Sequence, residues 1–484
     1  MVKLGVSRLA RGMLLVGAAA LIASPALADE LREALALAYQ TSPTLQAARA
    51  QQRAVDESVP IARAAGLPSL SGTVTYTEFV KTSSNSFTSP SRAFDAQTQL
   101  GVPIYSGGAV KNSVRAADTR VLAGQDDLRG EESGLFSQVV AAYMDVILAQ
   151  EVVKLNRSNV RQLEVNSQAS NDRFEIGDLT RTDVAQSNSR LALARGQVRN
   201  AEANLIAARE RYIQVVGKAP ENLQTPPSLT GLPSNASEAV AIALDHNPDL
   251  AATQQRAKAA GFDVKVAGAG RLPRISLFAG SNYVDYLGTL GGSGPIQFMQ
   301  KSTTAQAGVR ATIPIFQGGL PAAQRRAAQS RQDAALEQVI GVERAVVANV
   351  RSAFAQWQAA QSLIASSQVA VDAAALSLEG VRAENSVGNR TILDILNAEQ
   401  ELLSAQVQRA TAQRNAYVAA FNLLAAMGKA EARDLGLDGG VLYNPQVNYD
   451  RVHGKIWDWS NDPDPVTEST RTVDTPPQDG SVNP

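Results

Sequence analysis

Roughly two hundred residues of this sequence recur as a second version of themselves. Glu33-Ala34-Leu35-Ala36-Leu37-Ala38 through Pro43 and Leu45 returns as Glu238-Ala239-Val240-Ala241-Ile242-Ala243 through Pro248 and Leu250, and the register holds to Leu67-Pro68 and Leu272-Pro273. Val102-Pro103-Ile104-Tyr105-Ser106-Gly107-Gly108 matches Ile313-Pro314-Ile315-Phe316-Gln317-Gly318-Gly319, and Gly177, Thr180, Asp183 and Val184 match Gly388, Thr391, Asp394 and Ile395. The offset is 205 from Pro43 to Pro248 and 211 from Gly177 to Gly388, which puts the length change between the paired strands of the second copy. Residues 29–217 form one repeat and residues 236–437 the other. Residues 218–235, with Pro220, Pro226, Pro227 and Pro233, are an irregular connector.

Each repeat holds a long stretch without proline, from Ala109 to Glu175 and from Ala322 to Val387. As single helices (about 109–175 and 322–387) these would be rods of roughly 100 Å, which need a partner along their whole length. The repeat supplies that partner in two pieces, a helix led by Pro43 or Pro248 and a helix at about 180–216 or 391–427. Stacked end to end, the two span roughly 90 Å. Gly177-Asp178-Leu179-Thr180 and Gly388-Asn389-Arg390-Thr391 are read as sharp reversals, with Gly177 and Gly388 stopping a helix and Thr180 and Thr391 capping the next. Small residues, as in Ala192-Leu193-Ala194, allow close helix approach, while regularly placed Gln, Asn and Ser keep a face wet. A tube wall fits this better than a globule, although a solvated bundle has the same pattern.

Two stretches per repeat alternate with period two. Phe94, Ala96, Thr98, Leu100, Val102 and Ile104 oppose Asp95, Gln97 and Gln99, and Ala305, Ala307, Val309, Ala311, Ile313 and Ile315 oppose Gln306, Gly308, Arg310 and Thr312. Strands are expected at about 69–80, 92–105, 274–286 and 302–316. They are long enough to cross a membrane, but four strands cannot close a barrel, since the smallest bacterial barrels use about eight. Either the chain oligomerises or the strands form a half-buried soluble sheet.

The N-terminus bears on that choice. Lys3, Arg8 and Arg11 precede an apolar run from Met13 to Ala23 and the small-residue site Ala26-Leu27-Ala28, so residues 1–28 are expected to be a secretory signal cleaved before Asp29. Its removal would leave 42 basic against 46 acidic residues, a formal charge of −4. No later segment approaches 18 consecutive apolar residues, so a membrane-spanning form would have to use strands, which points to the bacterial outer membrane.

Composition removes other classes. The whole chain of 484 residues has formal charge −1, which gives no general attraction to nucleic acid. It has no Cys and two His, His246 and His453, so thiolate metal sites, disulfides, an acylated Cys and a Ser/His/Asp triad are not expected. Gly291-Gly292-Ser293-Gly294 lacks the Lys-Ser/Thr of a phosphate loop, and Asp126-Asp127 and Glu131-Glu132 are read as solvated helix faces. No catalytic residue, metal or cofactor is expected. The end of the chain, residues 438–484, turns to Asp, Pro, Thr and Gly and is expected to lack fixed structure, pinned only near Trp457 and Trp459.

The order of elements, together with Ser386-Val387-Gly388-Asn389-Arg390-Thr391-Ile392-Leu393-Asp394-Ile395-Leu396-Asn397-Ala398, its echo Ile176 to Val184, and Pro314 to Gly319, resembles the TolC family of outer-membrane efflux and secretion channels. The resemblance covers nearly all of Asp29 to Leu437. It implies a homotrimer in which each chain lends four strands to one twelve-stranded transmembrane β-barrel, continued by a long periplasmic α-helical barrel. It also implies the exit duct of a tripartite efflux or type I secretion system. The partners would be a periplasmic adaptor (membrane fusion) protein, an inner-membrane ABC or proton-driven transporter and outer-membrane lipid. A family gate at the periplasmic tips carries over onto Arg390 as a tethering base, Thr182 and Asp183 as its acceptors on a neighbouring hairpin, and Asp394 as an acidic-ring residue. Asn385 stands where the family commonly has Tyr, and Asn397 where it commonly has a second acid. The ring would then hold three charges rather than six. The competing reading is an envelope structural or adhesive protein with a coiled-coil spacer. The sequence does not separate small-molecule cargo from protein cargo.

Overall fold

The computed structural model describes residues 31–81, 89–291, 298–437 and 442–482. The expected export signal at 1–28 lies outside them. The first repeat comprises α1 (Leu31–Thr41), α2 (Pro43–Asp56), α3 (Ser58–Ala64), β1 (Ser69–Glu78), β2 (Arg92–Tyr105), α4 (Ala109–Glu175) and α5 (Arg181–Val216). The second comprises α6 (Ala236–His246), α7 (Pro248–Gly268), β3 (Arg274–Asp285), β4 (Lys301–Thr312), α8 (Leu320–Ser386) and α9 (Ile392–Ala426). A last helix, α10 (Pro445–Val452), follows.

The copies differ where one residue dictates it. Pro60 has no N–H to offer Asp56, so the first copy breaks into α2 and α3, while Lys265 at the equivalent place lets α7 run through. Both long helices have 67 residues, about 100 Å at helical rise, and both start behind a glycine held at φ 81°, Gly108 or Gly319. That left-handed residue turns the chain from strand to helix, a conformation costly for other side chains.

The strands form one antiparallel sheet in the order β1-β2-β3-β4. Its register aligns the period-two patterns. Tyr76 faces Phe94, Val74 faces Ala96 and Leu70 faces Leu100. Ala96 in turn faces Tyr283 and Val102 faces Leu277, while Leu277 faces Val309 and Ala279 faces Ala307. Directly opposed residues share a side of the sheet, so one face is mainly apolar, broken by Thr98 with Ser281 in its middle and by Asp285 with Lys301 at its far end. Thr73, Gln97, Asn282 and Thr304 line the other, with Gln99 and Gln306. Both faces are largely open to solvent in the single chain, and β1 and β4 each leave an edge unpaired among the described residues. At a tilt near 40°, Phe94 to Tyr105 spans roughly 28 Å, the height of an apolar bilayer band. β4 ends at Thr312 rather than running to 316, because its neighbour β3 begins only at Arg274, after Pro273.

The main core forms a belt around the middle of α4. There Phe136, Val139, Val140 and Tyr143 meet α1, α6 and the ends of α5 and α9 through Tyr39, Leu205, Tyr212, Phe421, Leu423 and Met427. The scarce aromatics concentrate here, with Tyr39 stacked on Phe136 at 6.1 Å. Tyr143 donates from its hydroxyl to the Gln224 carbonyl at 2.8 Å, which fixes the connector.

Two expectations need correction. The acidic pairs on α4 are not merely solvated. Glu132 accepts the Ala432 N–H and burial pushes its carboxyl up, Asp127 pairs with Arg256 of α7, and Asp126 and Glu431 both hold Arg129. Facing helices supply partners that helix periodicity alone does not reveal. The tail also has fixed structure over its described residues, 442–482. Asn448 of α10 donates to buried Asp56 at 2.6 Å, and Tyr449 donates to Asp118 at 3.0 Å. Further on, Arg209 donates to Asp479 and Arg157 to the Gly480 carbonyl, so the extended chain is laid along α5 and α4. Low hydropathy hid this because the contacts are polar.

Candidate functional site

The two helical hairpins end in turns of matching backbone. Gly177 and Gly388 both have φ 83°, which lets Asp178 and Asn389 return their N–H groups to Arg173 and Glu384 carbonyls at 2.9 Å. Thr180 and Thr391 then cap α5 and α9 in reciprocal boxes. The Asp183 carboxylate accepts from the Thr180 N–H at 2.9 Å and hydroxyl at 2.7 Å, and Asp394 accepts from Thr391 at 2.9 and 2.8 Å. These bonds favour the charged form, so Thr180 holds Asp183 and Thr391 holds Asp394 below the usual carboxylate range.

The structure thus places the predicted residues at or near the tips, and Asp183, Asn385, Arg390, Asp394 and Asn397 are each engaged within their own chain. Arg390 donates through Nε to Glu384 at 2.7 Å, and this carboxylate is the main reason its guanidinium is held above the ordinary value. Asn385 donates from its side chain to the Arg390 carbonyl at 2.7 Å. The other turn carries a similar tie, Arg173 to Asp178 at 2.6 Å. Thr182 is exposed beside it. Among the described residues no hydrogen bond or ion pair joins Arg390 to Thr182 or Asp183, so within one subunit these groups are not brought together. Asn397 is held instead by Arg190 of α5, whose guanidinium donates to it at 2.8 Å.

Sequence reasoning missed the joint above the tips. Leu163, Ala194, Leu378, Ile392, Ile395 and Leu396 form a small apolar cluster where the two hairpins meet. Beside it the buried Glu399 carboxylate accepts from Arg382 of α8 at 2.8 Å and from Asn166 of α4 at 2.9 Å. The signal was present in the sequence. Glu399 occupies the buried stripe of Ile392, Ile395, Leu396 and Leu403, where an unpaired charge would be costly. Between α4 and α5 the seam is polar but buried, with Ser170 against Ser187 at 3.0 Å and Ser167 donating to Asn188 at 2.8 Å. Among the described residues no group of three or more His, Asp or Glu is placed to hold a metal ion.

What the arrangement can do is mechanical. Two long hairpins hang from a sheet with one apolar and one polar face, and their tips carry exposed charges whose bonds can be exchanged at little cost.

Known proteins share the arrangement. The profile of the family described as "Outer membrane efflux protein" matches residues 34–218 and 239–429, one match per repeat. Outer membrane efflux protein BepC of Brucella suis biovar 1 (strain 1330) is 34% identical over 447 residues, covering 91% of this chain and 94% of that protein. Alkaline protease secretion protein AprF of Pseudomonas aeruginosa is 26% identical, covering 86% of this chain and 88% of that one. In fold, the chain is similar to the outer membrane channel CmeC of Campylobacter jejuni, with a TM-score of 0.72 and 18% identity over 88% of this chain and 89% of the other.

Proposed function

Because the chain belongs to the outer membrane efflux protein family, the TolC family that its motifs resemble, we propose that its hairpin tips gate the exit duct it forms. The duct passes substrates through the outer membrane, and the helical part extends into the periplasm. The observation that carries this reading is the sheet. Four strands with one apolar face, one polar face and two free edges are stable in lipid only when copies complete the cylinder. Three copies give twelve strands, with the apolar face toward lipid and Gln97, Gln99, Asn282 and Gln306 toward the lumen.

The helices of the three subunits continue the lumen as a tunnel narrowed at the tips. There Arg390 would exchange Glu384 for Thr182 and Asp183 of the neighbouring hairpin, and Asp394 would supply a ring of three charges. A periplasmic adaptor that binds the separated tips better shifts the gate open. An inner-membrane ABC or proton-driven transporter supplies the work, and the chain itself performs no covalent chemistry. Purified protein in planar bilayers tests the duct. Heat-resistant trimers with single-channel conductance are the expected result, and a folded, non-conducting monomer would sink the reading. The names of relatives include both efflux and protease secretion. A deletion strain assayed for drug sensitivity and for lost secreted protein separates the two cargoes.

A further inference from the structure

The chain has three tryptophans, and two of them, Trp457 and Trp459, stand together and exposed, at 72% and 81% of their surface, with Ile456 beside them. An apolar cluster of this kind in water implies a partner, and the surrounding structure shows where it points. The middle of α10, Asn448 and Tyr449, lies against Asp56 at the end of α2 and Asp118 of α4, and its C-terminal end leads on to α3. There the His453 carbonyl accepts from Arg63 of α3 at 3.3 Å. One turn beyond Arg63, Gly66 packs on Val110 at the start of α4, and β1 begins at Ser69.

The loop is built, not loose. Lys455 and Ser460 close turns onto the Val452 and Trp457 carbonyls at 2.9 and 3.1 Å. Asp462 returns to Arg451 at 2.7 Å and to Lys455 at 3.2 Å, clamping the base of the excursion. Its base, at the His453 carbonyl, is therefore held beside α3, the helix that leads into β1. Ile61, on the same helix as Arg63, is 72% exposed.

We propose that residues 454–460 are a membrane anchor, with Ile456, Trp457 and Trp459 seated in the phospholipid headgroup region of the periplasmic leaflet around the barrel. The placement rests on the barrel spanning the outer membrane. An indole suits this depth because its ring prefers the acyl boundary while its N–H stays hydrated. Basic Arg63, bonded to the foot of the loop, stands on the helix that leads into the barrel and supplies a charge suited to a lipid phosphate. A side-chain anchor of this kind on each subunit would steady the junction of barrel and tunnel.

The test uses the full trimer carrying Trp357→Phe, so that only Trp457 and Trp459 emit. In vesicles of brominated phosphatidylcholine the expected result is a blue-shifted spectrum, loss of most of the emission relative to unbrominated lipid, and weak quenching by aqueous iodide. Adding Trp457→Ser, and separately Trp459→Ser, assigns the lost emission to each indole. Conducting trimers whose emission ignores bromine but is quenched by iodide overturn the anchor while leaving the duct intact. Indoles shielded from both quenchers lie against a second subunit, which also overturns it. Vesicles without conductance remove the barrel placement itself, and the anchor with it.

Discussion

Asn166 on α4 donates to both carboxylate oxygens of Glu399 on α9, at 2.9 Å each, across the joint between the two hairpins of one subunit. The Glu399 side chain is 4% exposed and also takes Arg382 at 2.8 Å, so three helices converge on one charge. The joint ties the two hairpins together near the tips. Glu399→Ala leaves the half-buried Asn166 amide and the Arg382 guanidinium without that acceptor and is expected to cost about 1–3 kcal/mol, read as an earlier thermal transition of the folded trimer. Glu399→Gln keeps an acceptor and should cost less. Equal losses for the two variants would show that packing, not the hydrogen bonds, holds the joint.

The duplication, the proline-free rods and the alternating strands were legible in the sequence because each is a periodicity, fixed by the geometry of helix or strand. Gly388 and Thr391 were legible too, since left-handed turns and N-caps draw on few residue types. Partner choice was not. Arg390 has Glu384 six residues away, and nothing in spacing says whether it pairs there or on another hairpin. Glu132 and Asp127 look like surface charges on α4 until α7 and the turn after α9 are laid over them. The tail was misjudged for the same reason, as its anchors Asn448, Arg209 and Arg157 are polar groups that hydropathy counts as solvated.

The tips also depend on backbone handedness. A Cβ placed on Gly388 would meet nothing within 4 Å, so the cost of Gly388→Ala comes from φ 83° alone. It should be about 1–2 kcal/mol, seen as a lower melting temperature and faster proteolysis at the α8–α9 turn. Gly196→Ala, within α5 and equally open, should have no such cost. A Gly388→Ala protein as stable as its parent would show that the turn adopts another conformation in the trimer.

The cap at Thr391 links helix stability to gate charge. Removing it with Thr391→Ala should destabilise the start of α9 by about 1 kcal/mol and release the Asp394 carboxyl from the bonds that hold it below the usual range. A carboxyl with a depressed folded value contributes stability above its unfolded pKa and loses it as pH falls through the folded one. If the Asp394 ring gives the channel a cation preference, the parent should keep it to more acidic pH than a free aspartate would allow, and Thr391→Ala should lose it at higher pH. Reversal potentials across a salt gradient, measured as pH is lowered, give the comparison. Asp394→Asn should abolish the pH dependence, and if it persists, another group sets the selectivity.

Competition for Arg390 gives the sharpest test of the gate. Within one subunit its guanidinium is held by Glu384, both side chains being about half exposed. If the closed mouth uses Arg390 across the subunit boundary, Glu384 is a rival of Thr182 and Asp183, and the two tip charges must act in opposite directions. Arg390→Ala is expected to raise single-channel conductance by removing the tether. Glu384→Gln is expected to lower open probability, because Arg390 is then free to stay on the neighbouring hairpin. Asp183→Asn should behave like Arg390→Ala, and in combination with it should add little, since both remove the same contact. Conductance traces in planar bilayers at moderate salt distinguish these outcomes, as screening weakens exposed pairs at high salt. Loosening of the mouth by Glu384→Gln instead would mean that the pair inside the turn is what keeps the tip closed.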